Sequence, residues 1–475
     1  MSKHPGEFRL NRTLILLISA WLSFGTSAKQ GISVSEQQER ISISKSIEQI
    51  VSNYVSNGVF EGSILVSDSN KKIFENTYGF ANLADRIPIT KNSSFQIASL
   101  SKPITATIVL ILREQGKLKL DDTLARYFPE FNNGKGKKIT IRHLLSHTSG
   151  IPNHFIIDGW FSKDFHTYTS EQAFIETIAK LPLNSEPGEE YLYSNPGYFL
   201  LGKIIEKVTG ESFSSSANKA VFEPLNMSNS GVSLAGQQDT KIVKAYQLSA
   251  GGGYQLLAEK NMKLFGAGAA IYSNAENLYR FESALYGEKL ISNESKKDLF
   301  NPDRPFSWRV GVLPIGHEIQ PRVHMYDGKI DGFSSMMVRF IDEQKSIILL
   351  SNIGTSYFLK KQLVMDIAAA LYNQDIPNRT RDVSLALTNG VRTGTFEQVL
   401  SEIENDKYDL DESSMTSMAY ELLWSGLADK SLKLFSLINR SFSNSPTAES
   451  NLVQACNHRL TKNVHKKSEV CKIAL

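Results

Sequence analysis

Cysteine is almost missing from this sequence, with two in 475 residues, Cys456 and Cys471, both near the C-terminus. Two thiols cannot build a disulfide framework or a four-thiolate zinc site. An excess of one charge is missing too, since 52 Lys and Arg stand against 49 Asp and Glu, a net of +3. Over this length so small a surplus does not suggest a nucleic-acid binder. Long apolar runs are missing beyond residue 28, so no later stretch is a candidate membrane span. His-Glu-x-x-His, a Gly-rich phosphate loop and the nucleophile elbow Gly-x-Ser-x-Gly are all missing. Zincin, nucleotide and α/β-hydrolase chemistry are thereby set aside. What is present, 41% apolar and 21% charged residues, describes a soluble chain that buries a core. Length alone allows about three domains.

Residues 1–28 read as a secretory signal. Lys3, Arg9 and Arg12 precede an apolar run over residues 13–24, and Thr26, Ser27 and Ala28 place small residues for cleavage after Ala28. The run is shorter than the roughly 20 residues that span a bilayer. Removal takes away three cations and Glu7, leaving 3 − 2 = +1 on a periplasmic or secreted chain with no membrane span.

Residues 34–57 carry Ile41, Ile43, Ile47, Ile50, Val51 and Tyr54 at helical spacing. Residues 62–66 and 72–78 alternate as paired strands do. Residues 100–116 predict a buried helix, with Pro103 confined to its first turn. Shorter helices are expected over 121–128 and 139–145, and a longer one over 198–208 closed by Gly210. From residue 334 strands return, over 334–341 and 346–350 about a turn at 342–344, followed by a helix over 358–372. Strands at both ends with helices between them predict an α+β fold, one antiparallel sheet whose first and last strands meet. The apolar rhythm fails over 373–391. That divides a domain at 34–375 from a helical region at 385–475.

The candidate chemistry begins at Ser99 and Lys102, a Ser-x-x-Lys. The letters alone are weak, because Ser42 with Lys45, Ser69 with Lys72 and Ser216 with Lys219 match them. Ser99 differs in standing where an extended stretch turns into an apolar helix, among free N–H groups and the positive end of the helix dipole. Lys102 lies on the same helical face, and a buried lysine gives up its proton more readily. A third group to relay the proton is available at Tyr193-Ser194-Asn195 and equally at Tyr272-Ser273-Asn274.

Residues 40–372 resemble the β-lactamase-related serine hydrolases, which include class C β-lactamases, penicillin-binding D-alanyl-D-alanine carboxypeptidases, D-amino-acid peptidases and esterases. Phe95-Gln96-Ile97-Ala98-Ser99-Leu100-Ser101-Lys102 is similar to the nucleophile motif of that family. Leu144 to Pro152 (LLSHTSGIP) is similar to a characteristic loop, and Pro187 to Tyr198 (PGEEYLYSNPGY) to the second motif. Gly332-Phe333-Ser334-Ser335 is similar to the end of the third. The resemblance implies a β-lactamase/transpeptidase-like fold, an antiparallel sheet flanked by helices with an all-helical domain beside it. It places Tyr272 in a structural segment. It implies that Ser99 attacks a carbonyl and is acylated, and that Lys102 and Tyr193 share general-base and general-acid work. Asn195 would hold Lys102 and the substrate. The backbone N–H groups of Ser99 and Lys329 would form the oxyanion hole, with Tyr326 and Gly328 lining the substrate. No cofactor is implied, and the substrate is a small molecule or peptide.

Two positions depart from that pattern. Tyr326-Asp327-Gly328 stands where Lys or His, a small residue and Gly are usual, so a cation that commonly holds a substrate carboxylate is missing. His324, two residues earlier on the same strand face, is the available substitute, although a plain strand-edge polar residue is the preferred reading of it. Gly268-Ala269-Ala270 stands where paired glycines are frequent, which leaves that loop's shape open. His143, His147 and His154 cluster in sequence without partnering carboxylates, so hydrogen bonding is preferred over metal ligation.

Residues 418–445 resemble a single tetratricopeptide unit, with Ala419, Leu422, Gly426, Phe435 and Ile438 near the expected positions, Ser431 at the small-residue position and Ser443 in place of a proline. One unit cannot bury its own apolar face, so packing is preferred, with a protein partner as the other option. Cys456 and Cys471 are expected to pair in an exported protein. From Cys456 onward, five cations against Glu469 give 5 − 1 = +4, read as a solvated tail. The reading is an exported serine hydrolase forming an acyl-enzyme on Ser99. It would cleave an amide (D-amino-acid peptide or β-lactam type) or ester bond, with peptidase- or esterase-like activity preferred to β-lactamase. The alternative is a non-catalytic sensor or scaffold acting through the C-terminal helices.

Overall fold

The computed structural model describes residues 1, 34–132, 134–234, 241–316, 318–461 and 471. The signal read over residues 1–28, Met1 excepted, lies outside the described residues, as do Lys462, Lys466, Lys467, Glu469 and Lys472 of the basic tail. The chain forms two units, residues 1–42 and residues 43–475. In the first, residues 34–42 are helical and belong to α1 (Val34–Ser56). In the second, the rest of α1 buries Ile43, Ile47, Ile50, Val51 and Tyr54, a stripe at helical spacing.

Six strands build one antiparallel sheet: β1 (Gly62–Asp68), β2 (Lys71–Tyr78), β3 (Arg309–Val312), β4 (Arg322–Ile330), β5 (Phe333–Phe340) and β6 (Lys345–Ser351). Their order across the sheet is β3-β4-β5-β6-β1-β2. The first strand therefore meets the last, from Gly62 opposite Ser351 to Ser67 opposite Ser346. Along β6, Ile347 and Leu349 enter one apolar cluster while Ile348 and Leu350 enter another. Alternation sends successive side chains to opposite faces, so a strand apolar at every position is one covered on both faces. One cover is α1 with α4 (Tyr357–Leu371). The other is the helical part between β2 and β3, which includes α2 (Ser101–Glu114) and α3 (Asn195–Thr209).

Strands return earlier than residue 334. β3 is a four-residue edge strand with mostly exposed side chains, and β4 mixes His324, Asp327 and Lys329 with its apolar residues. Neither has the apolar continuity that marks β5 and β6. Pairing with neighbours forms them, where local pattern would not.

Beyond residue 382 come α5 (Val383–Thr393), α6 (Phe396–Glu404), α7 (Glu412–Trp424), α8 (Ala428–Ser441) and α9 (Pro446–Asn457). They share an apolar cluster that includes Leu387, Met415, Leu422, Phe435, Ile438 and Leu452. Leu385 points instead into the sheet-side cluster with α4. Just before α5, Arg379 makes two hydrogen bonds to Asp366 of α4, at 2.7 and 3.0 Å, and Tyr54 donates to the same carboxylate at 2.7 Å. Ser431, fully buried where α7 and α8 pack, donates to the Ala419 carbonyl at 2.7 Å. Cys456 and Cys471 are joined as a disulfide, with Cα atoms 5.8 Å apart.

Candidate active site

Ser99 sits in a 3₁₀ turn, Ala98–Leu100, that leads into α2. Ala98, immediately before it, has φ = +49°, a left-handed conformation that is costly for a residue with a side chain. Surrounding bonds hold that turn. The Ile97 N–H donates to the Ile271 carbonyl at 3.0 Å, and the Ile97 carbonyl accepts from Leu100 N–H at 3.1 Å and from Ser335 Oγ at 2.7 Å. One turn on, Lys102 is fully buried. Its Nζ lies 3.0 Å from Ser99 Oγ and 2.8 Å from both Asn195 Oδ1 and the Gly268 carbonyl oxygen. Burial pulls its ammonium pKa well below the ordinary lysine value, opposed by Asp327.

Tyr193 completes the cluster, its hydroxyl 2.7 Å from Ser99 Oγ. Burial raises its pKa, so it is a neutral phenol. The loop that carries it is held by backbone bonds from Gly188 N–H to Thr148 O and from Leu192 N–H to His147 O, both 2.7 Å. The Leu144–Pro152 loop thus acts as the seat for the tyrosine loop. His147 is buried beneath Tyr193 with ring centres 4.5 Å apart, and its Nδ1 accepts from Ser194 N–H at 3.2 Å. Burial first, and then Lys102, pushes His147 well below the usual histidine range, so its imidazole is neutral. Ser194 caps α3 by accepting from Gly197 N–H at 3.2 Å, which starts the helix at Asn195 and aims that side chain at Lys102. The expected helix start at 198 was late because the cap precedes the apolar rhythm. Asn195 Nδ2 donates to Asn153 Oδ1 at 3.2 Å.

The third side of the site is β4. A Cβ added at Gly328 would meet Ile97 O at 2.2 Å and Ser99 N at 2.9 Å, so only a glycine lets this strand close on the Ser99 turn. Tyr326 is buried with its hydroxyl turned towards that of Tyr193, and it has no hydrogen bond of full geometry among the described residues. Lys329 is exposed on the opposite strand face and ion-pairs with Glu421 of α7. His324 does not supply a cation. Its ring stacks on Phe300 at 4.1 Å, and burial, Arg339 and Arg322 lower its pKa to about 3. A cation beside the departed motif is Arg309 of β3, which bonds Asp327 at 2.5 Å and lies 5.8 Å from the Tyr326 ring centre. Sequence reasoning missed Arg309, because only the pairing of Arg309 with Met325 brings it there.

The paired alanines are accommodated. Neither alanine needs a positive φ, Ala269 standing at φ = −159°, while the left-handed turn falls on Gly266 at φ = +47°. Tyr272 lies in a small three-stranded sheet opposite Gln96, and the following Asn274 caps a helix, so this second Tyr-Ser-Asn is structural. Among the described residues no three His, Cys, Asp or Glu side chains converge as a metal site.

A serine, a buried amine, a phenol and a glycine strand in this arrangement are the tools of acyl transfer. Residues 47–371 match the Beta-lactamase family, and the chain belongs to that family of β-lactamase-fold serine hydrolases. Penicillin-binding protein 4* of Bacillus subtilis (strain 168) is 31% identical over 349 residues, covering 68% of this chain and 75% of that protein. D-amino acid amidase from Ochrobactrum anthropi SV3 shares the fold with a TM-score of 0.60, at 22% identity over 70% of this chain and 99% of that one. A class C β-lactamase does so with a TM-score of 0.56, at 20% identity over 72% and 98%. No helix among the described residues is long and apolar enough to cross a membrane.

Proposed function

We propose that this protein is an exported serine acyl-hydrolase that forms an acyl-enzyme on Ser99 and releases it to water. The observation that carries the reading is Ser99 Oγ held 3.0 Å from Lys102 Nζ and 2.7 Å from Tyr193 Oη. Burial moves both partners towards neutral forms, a free amine that accepts and a phenol that donates. In acylation, Ser99 Oγ bonds to the substrate carbonyl carbon and its proton passes to Lys102. The carbonyl oxygen, now negative, is held by the N–H groups of Ser99 and Lys329. The carbon–nitrogen or carbon–oxygen bond then breaks, and the leaving group takes a proton through the Lys102–Tyr193 pair. Water reverses the sequence, with Asn195 orienting Lys102 and a polar group of the substrate.

The substrate preference is for a D-amino-acid peptide, amide or short ester over a β-lactam. Tyr326 occupies the usual cation position, His324 is neutral, and Arg309 is already engaged with Asp327. The Tyr326 hydroxyl, a neutral phenol beside that of Tyr193, suits a polar group of the substrate that carries no full charge. The tetratricopeptide-like pair α7–α8 is read as covered, since α5, α6 and α9 share its apolar cluster. A scaffold reading, with a protein partner on the C-terminal helices, draws support from no feature of the site.

The test incubates the mature protein with a cephalosporin, a short-chain p-nitrophenyl ester, a D-amino-acid amide and a D-Ala-D-Ala peptide, following turnover and intact mass. Ester or peptide turnover, or an adduct on Ser99 that Ser99→Ala abolishes, is the expected result. A folded protein with no turnover and no adduct on any probe sinks the enzyme reading.

A further inference from the structure

Behind the strand that faces Ser99 lies a chain of charges that the proposed chemistry does not use. Asp327 and Lys329, two residues apart, project from the same face of β4. Lys360 of α4, 1% exposed, donates to the Gly328 carbonyl at 3.1 Å and the Ser335 carbonyl at 3.0 Å, with Asp327 Oδ2 3.8 Å away. Asp327 is held in turn by Arg309 at 2.5 Å, and Lys329 by Glu421 from the C-terminal helix α7.

The Gly328 carbonyl and the Lys329 N–H belong to one trans peptide unit, so they point in opposite directions. The two residues Asp331 and Gly332 join β4 to β5, making Ile330 and Phe333 the closing pair. Pairs alternate along an antiparallel ladder, so Gly328 and Ser335 exchange hydrogen bonds and the Lys329 N–H points out of the ladder. An ammonium on the Gly328 oxygen therefore fixes the plane of this peptide and polarises it, strengthening the N–H at its other end. The Lys329 side chain anchors the same peptide from its far side, and its anchor is Glu421.

We propose that Lys360 and Glu421 are positioning residues for the Lys329 N–H, so that the C-terminal helices complete the oxyanion hole rather than merely packing beside it. This rests on the reading of Lys329 as the second oxyanion donor. An ion pair with Lys329 37% and Glu421 18% exposed contributes little to stability, whereas a donor turned away from the developing oxyanion loses rate. Stability and rate therefore separate this role from a structural one.

The experiment uses the whole mature chain, with a fluorescent penicillin and a p-nitrophenyl ester as acylating probes. Prior binding and the acylation rate constant are measured separately. Glu421→Gln is expected to slow acylation about tenfold with binding and melting temperature nearly unchanged, and Lys360→Met to slow it about 100-fold. Lys360→Arg, which keeps a cation, recovers part of that loss. Exchanging the charges, with Lys329→Glu and Glu421→Lys together, restores the rate that either change alone removes. Acylation within about twofold of wild type in both Glu421→Gln and Lys360→Met overturns the proposal and leaves the Ser99 reading standing. So does a loss that only tracks the fraction of folded protein. Wild-type protein that is folded yet takes no adduct on Ser99 overturns both.

Discussion

Gly328→Ala isolates the contact between β4 and the Ser99 turn. The new Cβ would stand 2.2 Å from the Ile97 carbonyl oxygen, 2.7 Å from Ser335 Oγ and 2.9 Å from Ser99 N. Ordinary contact begins at 3.4 Å, so 3.4 − 2.2 = 1.2 Å of separation must be found against the carbonyl alone. Ile97 cannot retreat freely, because Ser335, Leu100 and the Ile271 carbonyl hold its two backbone polar groups. The strand has to move, taking the Lys329 N–H with it by about 1 Å. Losing one oxyanion donor costs roughly 10² to 10³ in rate, about 2.7–4 kcal/mol, and overpacking adds about 1–3 kcal/mol of instability. Stopped-flow acylation of the purified variant by a fluorescent penicillin, with thermal unfolding beside it, reads both effects. Expected is a fall of at least about 100-fold in acylation with a melting temperature lower by several degrees. Acylation within about threefold of wild type at an unchanged melting temperature would refute the reasoning, since it would mean the strand does not abut Ser99.

The acidic limb of kcat/KM should fall well below the ordinary lysine range, because Lys102 must be unprotonated and burial lowers its pKa. A rate still climbing at about pH 10 contradicts this. Stability should fall as pH drops below about 6.5, since the folded pKa values of His154, about 2, and His324, about 3, are depressed and only the unfolded chain takes up the protons. The window runs from about 6.5 down to those values. By pH 5 each histidine costs about 2 kcal/mol, so His154→Phe should flatten the pH dependence of urea unfolding by that amount, and an unchanged slope would count against it. Replacing Cys456 and Cys471 by serine opens a 15-residue closure and should lower stability by about 3 kcal/mol. Alkylation of both thiols in native protein without prior reduction would show that the bond is not there.

Much of the site was legible because its parts are local. Ser99 and Lys102 are three residues apart at a helix start, and Tyr193 and Asn195 flank one helix cap. Local letters could not separate Tyr193 from Tyr272. What separates them is a docking of loops, Gly188 and Leu192 onto Thr148 and His147, that no window around either tyrosine contains. His324 was assessed from its strand face, which was correct as geometry, but its charge depended on Phe300 and Arg339 closing over it.

The sequence by itself determined the α+β class and put forward Ser99 with Lys102 as the candidate nucleophile and its base, with Tyr326 where relatives carry a cation. The class follows from periodicity, and the site residues from short spacings together with the resemblance to the β-lactamase-related motifs. Tertiary structure decided what lies behind β4. Lys360 is 32 residues from the carbonyl it holds, and Glu421 is 92 residues from Lys329. Both sit on helices whose buried faces are satisfied by ordinary apolar packing. A lone charged residue on such a helix has no local signature, because its partner and its dielectric surroundings exist only once helix and strand have met.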